Sequence, residues 1–340
     1  MEEQKPLPSI LLLRLSSLGD IVQALPLASM LCGRGHRVGW LLESRFAELP
    51  SLVNLPVQWE IWERGWRSTL RLRRRRGSYD VVCDLQGNWK SAFCAYAIAG
   101  KGAWRADKNQ LRESASAWIP SRHARASLDP HVLGRSWKVL EAALDLSSGP
   151  EELPLPPFLE AAGEVCDDLS HRLLALGIQP GCPFVVQVLG LPQDPRTWPL
   201  RAHLRLESDL DLPHVLLAGP GESALALPTG LPILRQREGE LLELVALGQL
   251  LARSGGVAVG HDGGAMHVLR AAGARTLFLF GPQDPTRTGP LGQRVIQADV
   301  DLPCRPCMSR RCHLPEGNLC MDKIPVEVVR RELSRRIGGG

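Results

Sequence analysis

The sequence predicts an α/β fold of two doubly wound domains, each a parallel sheet covered by helices on both faces. Three observations predict it. Strand-like apolar runs alternate with helix-period segments over most of the chain, and the alternation restarts after a proline-rich stretch, Ser147-Ser-Gly-Pro-Glu-Glu-Leu-Pro-Leu-Pro-Pro157. The opening unit, Ile10 to Pro26, reads as strand, polar turn and helix. At 340 residues the chain is long for a single core.

Ile10 to Leu13 is an uninterrupted apolar run, as expected of a strand buried on both faces. Gly19 and Asp20 supply a turn and an N-cap, and Ile21, Ala24, Leu25 and Ala28 follow at helical spacing, with Pro26 kinking that helix or marking its true start. Ser16, Ser17 and Asp20 then lie beyond the carboxyl end of a strand, where doubly wound sheets bind ligands. Asp20 reads equally as a helix cap. Val38 to Leu42 and Val57 to Trp62 are the next strands. Arg67, Arg71, Arg73, Arg74, Arg75 and Arg76 follow, either as a solvated helix face or as a patch for an anionic partner, with Trp59, Trp62 and Trp66 just before them. No nucleic-acid-binding motif accompanies the run.

Tyr79 to Gly87 is the clearest strand after the first, and its carboxyl end makes Asp84, Gln86 and Lys90 site candidates. A helix opens at or after Asn88. His123 and His131 read as loop residues, and Trp137 to Leu146 as a helix that closes a first domain of residues 1–150. In the second half, Glu160 to Leu176 (capped by Gly177) and Glu240 to Ala252 are helical, and Phe184 to Leu189, His214 to Ala218, Val257 to Gly260 and Thr276 to Phe280 are strands. This domain covers residues 158–325, with a helix over 326–340 expected to pack back on the first domain.

Composition is that of an ordinary soluble protein, with 44% apolar and 22% charged residues. No run reaches the roughly 20 apolar residues of a membrane span, and Met1-Glu-Glu-Gln-Lys5 does not resemble a signal peptide, so a cytoplasmic setting is expected. The net charge of +4 names no partner by itself. Of the nine cysteines, Cys304, Cys307, Cys312 and Cys320 fall close together and are open to two readings: a structural zinc, or reduced thiols packing a loop.

Three loops of the second domain carry the candidate chemistry. Arg196 follows the first strand as a fork for phosphate, and Gly219-Pro-Gly-Glu222 ends in a carboxylate for a ribose hydroxyl or a helix cap. Gly260 to His267 joins a strand through a glycine pair to a helix from Ala265 to Ala272, which is either a pyrophosphate cradle or a plain glycine-rich turn. The dinucleotide fingerprint G-x-G-x-x-G is absent from both first βα turns, against a dehydrogenase. Transfer from a nucleotide diphosphate sugar needs a base and charge stabilisation for the departing diphosphate, tasks that suit Asp20 and Arg196.

In order, Leu13-Arg-Leu-Ser-Ser-Leu-Gly-Asp20, Tyr79-Asp-Val-Val-Cys-Asp-Leu-Gln-Gly87, Arg196-Thr-Trp-Pro199, Asp262-Gly-Gly-Ala-Met-His267 and Phe280-Gly-Pro-Gln-Asp-Pro285 resemble the motifs of glycosyltransferase family 9, the lipopolysaccharide heptosyltransferases. The resemblance implies a GT-B architecture of two Rossmann-like domains facing a central cleft. It implies inverting transfer of heptose from ADP-heptose, with no cofactor or catalytic metal, to the inner core of lipopolysaccharide at the cytoplasmic face of the inner membrane. Another nucleotide sugar on the same fold is the alternative, and a non-catalytic nucleotide-sugar or lipid-binding protein stands behind it. By the resemblance Asp20 is the general base, while Ser16, Ser17, Gly19, Lys90 and Arg112 lie on the acceptor side. Arg196, Glu222, Asp262, Gly263, Gly264 and His267 lie on the donor side. Two departures are visible: many relatives carry Ser or Thr at the position of Gly263, and the loop Val188 to Pro192 lacks the small polar residues common there.

Overall fold

A computed structural model describes residues 6–146, 149, 153–222, 225–237 and 241–338. The chain divides into two compact units, Met1–Leu155 and Pro156–Gly340. Met1 to Lys5, most of the linker's first half and Glu240, the expected start of a helix, lie outside the described residues.

The first unit holds strands β1 (Ile10–Leu13), β2 (Val38–Glu43), β3 (Gln58–Trp62), β4 (Val81–Asp84), β5 (Trp104–Arg105) and β6 (Arg122–His123). Its helices are α1 (Leu18–Gln23), α2 (Leu25–Gly33), α3 (Trp66–Arg71), α4 (Trp89–Ala99) and α5 (Val132–Leu144). The sheet is parallel throughout, in the order β3-β2-β1-β4-β5-β6. β1, buried at every position, lies between β2 and β4. Leu11 and Leu13 pack with Leu41, Trp62, Val82 and Ile98, so truncating either leucine to alanine should cost about 2–5 kcal/mol.

The second unit repeats the plan with β7 (Val185–Val188), β8 (His214–Ala218), β9 (Ile233–Arg235), β10 (Val257–His261), β11 (Arg275–Phe280) and β12 (Ile296–Gln297). The helices are α6 (Gly163–Ala175), α7 (Leu200–Asp209), α8 (Leu241–Ser254), α9 (Gly264–Ala271), α10 (Pro285–Thr288), α11 (Leu319–Asp322) and α12 (Val326–Gly338). The strand order, β12-β11-β10-β7-β8-β9, is the same doubly wound order as in the first unit. In each unit the order reverses beside the first strand, at β1/β4 and at β7/β10, and ligands of such sheets bind beyond the carboxyl ends there.

The structure departs from several sequence expectations for physical reasons. The N-cap of α1 is Ser17, with Asp20 at the third helical position of a capping box. Pro26 marks a start: α1 ends at Gln23 and α2 begins at Leu25, where a missing N–H is harmless. α5 starts five residues before Trp137, capped by His131, whose Nδ1 accepts from the Leu133 N–H. The two-residue strands β5, β6 and β12 are too short to leave an apolar pattern. Val326, Val329 and Leu333 of α12 are buried with Val185, Val257 and Leu277 of the second sheet. No helix among the described residues is long and apolar enough to cross a membrane.

Candidate active site

At the carboxyl end of β1 the chain turns through Arg14 to Ser17 into α1, and Gln86, two residues past β4, holds that turn. Its Oε1 accepts from the N–H groups of Leu15 at 2.7 Å and Ser16 at 3.1 Å, and its Nε2 donates to Ser16 Oγ at 3.1 Å. Ser16 is thereby a scaffold contact, and Gly19 is buried inside α1. Asp20 meets four donors. Its Oδ2 accepts from the Ser17 N–H at 3.1 Å and hydroxyl at 3.0 Å. Arg14 Nη2 lies 3.1 Å from Oδ1 and Arg112 Nη1 3.4 Å from Oδ2. Burial by itself pushes the Asp20 carboxyl up, but Arg14, the Ser17 N–H, Arg112 and the Ser17 hydroxyl outweigh it, holding the group below the usual carboxylate range. Asp20 is a capping-box acid and the centre of an ion-pair cluster at once.

Arg112 arrives from a distant loop, and Gly87 makes room for it. Gly87 has φ +70°, and a Cβ there would stand 3.3 Å from the Arg112 backbone nitrogen, so glycine serves both the turn and the close approach. The loop is pinned by Glu113, whose N–H donates to Gly87 O at 3.1 Å and whose Oε2 accepts from the Trp89 N–H at 2.9 Å. Lys90 is placed elsewhere, with Nζ 3.7 Å from Glu43 Oε2. Asp84 is fully buried and committed to structure. It takes Arg105 Nε at 2.9 Å and the N–H groups of Gln86 and Gly87. Removing one partner of that pair should cost about 3–5 kcal/mol. His123 is likewise structural, its Nδ1 bonded to Ala106 O at 2.7 Å. Arg14 was not singled out in the sequence; a cation directly after a strand, six residues before a carboxylate, is the signal that would have found it.

The basic run splits. Arg75 pairs with Glu60 at 2.7 Å and Arg76 Nε donates to Ala97 O at 3.0 Å. Arg67, Arg71, Arg73 and Arg74 are exposed, beside Trp66 and Leu70, which are 68% and 49% exposed. Trp62 is core and Trp59 stacks on Trp40.

In the second unit the switch point lies between Gly190, after β7, and the turn from β10 into α9. Arg196 is held there, its Nη1 donating to Asp262 O at 3.1 Å. Its Nε and Nη2 bind Asp194, the closest contact being Nη2 to Oδ2 at 2.6 Å. Asp194, unnoticed in the sequence, fixes the orientation of the fork. Gly263 caps α9 with φ −154° and ψ 165°, a conformation open to any residue, so glycine supplies space there and not a special backbone shape. The Asp262 carboxylate is turned onto His267 Nε2 at 2.9 Å and the Thr288 hydroxyl at 3.0 Å, which makes the pair a brace under the turn. Beside α9 opens a cavity of about 120 Å³ lined by Leu189, Gly219, Glu222, His261, Gly263 and Gly264, among others. Burial, with Asp194 a smaller cause, pushes the Glu222 carboxyl up.

All nine cysteines are free thiols. Cys304, Cys307 and Cys312 are exposed, while Cys320 is buried, its pKa pushed up to about 11 by burial and then by the other three. Cys312 Sγ donates to Gly317 O and Cys320 Sγ to Asn318 Oδ1. Among the described residues no three of His, Cys, Asp and Glu are grouped to hold a metal ion.

The chain matches the family model for glycosyltransferase family 9 (heptosyltransferase) over residues 67–184 and 240–317. It is 28% identical to lipopolysaccharide heptosyltransferase 1 of Pseudomonas aeruginosa, over 89% of this chain and 87% of that one. Among solved structures, the family 9 glycosyltransferase of Veillonella parvula superposes with a TM-score of 0.73 at 16% identity, covering 98% of both chains. The E. coli ADP-heptose lps heptosyltransferase II gives 0.70 at 19% identity, covering 97% of this chain and 99% of that one. The match covers more than half of the sequence, and two Rossmann-like α/β units carry it: the chain belongs to glycosyltransferase family 9 and is a glycosyltransferase of GT-B fold.

Proposed function

We propose that this glycosyltransferase moves heptose from ADP-heptose to the inner core of lipopolysaccharide, with inversion at the anomeric carbon. The observation that carries the reading is the presence, one in each unit, of two opposite charge arrangements: Asp20 among cations in the first, and Arg196 beside the glycine-opened start of α9 in the second. Asp20 accepts the proton of the acceptor hydroxyl while that oxygen attacks the anomeric carbon. The bond from that carbon to the diphosphate oxygen breaks, and ADP leaves with the electron pair. Arg196 and the positive end of α9 meet the charge that develops on the leaving group. Arg14 and Arg112 keep Asp20 a weak base, so proton removal is late and concerted with cleavage. Arg112 and Ser17 line the acceptor side beside Asp20, and Lys90, in the first turn of α4 and paired with Glu43, is proposed as a more distant acceptor contact. Glu222 receives the nucleoside, and the Asp262–His267 pair holds the donor turn in shape.

The acceptor is lipid-linked, and the setting proposed is the cytoplasmic face of the inner membrane. Exposed Trp66 and Leu70 among Arg67, Arg71, Arg73 and Arg74 suit an anionic lipid surface. No cofactor is required in this scheme. For Cys304, Cys307, Cys312 and Cys320 the reduced-thiol reading is better supported than a structural zinc, since two of the thiols already donate to oxygens. Stoichiometric zinc released by thiol modification would reverse that choice.

Turnover of ADP-heptose with a purified Kdo-lipid A or heptosylated acceptor tests the function, with other nucleotide sugars as competitors. Saturable transfer of heptose is expected. Turnover that prefers another nucleotide sugar would move the protein to the alternative donor, and none with any donor would leave a binding protein. ADP should also bind in EDTA as well as in magnesium, because Arg196 and α9 supply the positive charge. Binding that appears only with magnesium would overturn the metal-free scheme.

A further inference from the structure

The donor-side cavity contains an imidazole that the scheme above does not use. His261 ends β10 and lines the cavity beside Gly263 and Gly264. Among the described residues no hydrogen bond to its ring is formed, and Nδ1 is enclosed with no partner. The ring is seated between two glycines. Its Cε1 lies 2.6 Å, and its Nδ1 3.2 Å, from the point where a Cβ of residue 190 would stand. Its Nε2 lies 3.2 Å from the corresponding point of residue 263. The imidazole therefore occupies the volume that side chains at 190 and 263 would fill.

Thr197 sharpens the geometry. Its Oγ1 is buried without a partner and lies 2.4 Å from the same point beside Gly190, so two orphaned polar atoms face one spot. Buried polar groups ordinarily pair. The two atoms are not hydrogen-bonded to each other, and a proton on the enclosed Nδ1 would be an unpaired buried donor, so the ring carries its proton on Nε2, the edge that borders Gly263 and the cavity. The ring is neutral near pH 7, because burial, and then the charge of Arg196, pushes its pKa down to about 4 against the opposing carboxylates of Asp194 and Asp262. It thus presents a single N–H at the mouth of the α9 N-terminus.

We propose that His261 binds the donor: its Nε2–H bonds a phosphate oxygen of the nucleoside diphosphate at the start of α9, in place of the hydroxyl that serine or threonine at position 263 would supply. The proposal rests on the reading of this cavity as the ADP-sugar site, and the test separates the two.

Calorimetric titration of ADP and adenosine into the wild type, His261→Phe, Gly263→Ser and the double variant His261→Val/Gly263→Ser decides it. His261→Phe keeps the bulk and removes the N–H, so ADP affinity should fall about tenfold or more while adenosine affinity is unchanged. Gly263→Ser alone places a Cβ 3.2 Å from Nε2, a close contact that the ring must relieve by a shift of a few tenths of an ångström. The double variant removes that contact and supplies a hydroxyl, and should regain affinity to within about threefold of wild type. Unchanged ADP binding by His261→Phe overturns the proposal, as does an equal loss of ADP and adenosine, which would make the ring a packing element. A double variant weaker than both single variants overturns the exchange of imidazole for hydroxyl. Failure of the wild type to bind ADP would instead sink the reading of the cavity.

Discussion

The two units share a strand order and a switch point, yet they place opposite charges there. In the first, a carboxylate is held by two arginines: Asp20 lies 3.1 Å from Arg14 and 3.4 Å from Arg112. In the second, an arginine is held by a carboxylate, with Arg196 2.6 Å from Asp194 at the mouth of a glycine-opened helix. Topology therefore decides where chemistry is done, and the few side chains beyond the strand ends decide which. Under the proposed function the first site receives a proton and the second an anion.

The largest effect should come from emptying the first site while leaving the second intact. Asp20→Asn should lower transfer by 10²–10⁴-fold, the ordinary contribution of a general base, with ADP affinity unchanged by calorimetry. More than about a tenth of the wild-type rate in a steady-state assay would remove Asp20 from that role. The converse change tests the second site. Arg196→Ala should lower kcat more than it raises the donor KM, because charge on the leaving ADP grows towards the transition state. A loss confined to KM would make Arg196 a ground-state contact only.

A subtler experiment leaves Asp20 in place and weakens what holds it. Its pKa is depressed in the folded protein, so the group contributes stability that is present above the unfolded carboxylate range and lost as pH falls through the folded value. Arg14→Gln removes the leading opposing charge, and the acid limb of kcat/KM should move to higher pH. An unmoved limb would mean that Arg14 does not set the ionisation of the base.

The smallest effect is expected far from both sites. Replacing Arg67, Arg71, Arg73 and Arg74 with glutamine should reduce activity on a vesicle-embedded acceptor by a few fold and leave a soluble acceptor unaffected, with the wild type more salt-sensitive on vesicles. Arg75 and Arg76 are kept, because they tie the segment to Glu60 and Ala97. Equal changes on both acceptors would return the run to a solvated helix face.

The sequence by itself determined the repeated α/β plan, the strands beneath both switch points and the glycine-rich turn into α9, and it put Asp20 and Arg196 beyond strand ends. These are local properties: a buried parallel strand is a continuous apolar run, and a ligand-bearing turn follows it within a few residues. Only the tertiary structure decided the partners. Arg112 reaches Asp20 across ninety-two positions of sequence, and Gln86 clasps Ser16 across seventy. Neither distance leaves a periodic trace. The same holds for candidates that dissolved: Asp84 looked like a site residue from its place at a strand end, and Arg105, on a strand too short to read, claims it for the interior. His261 leaves no signal in the sequence for the same reason, since the space around it is bounded by Gly190, Thr197 and Gly263, which come together only when the second sheet forms. Patterns report which face of an element is buried, and packing decides which polar groups are left to meet one another.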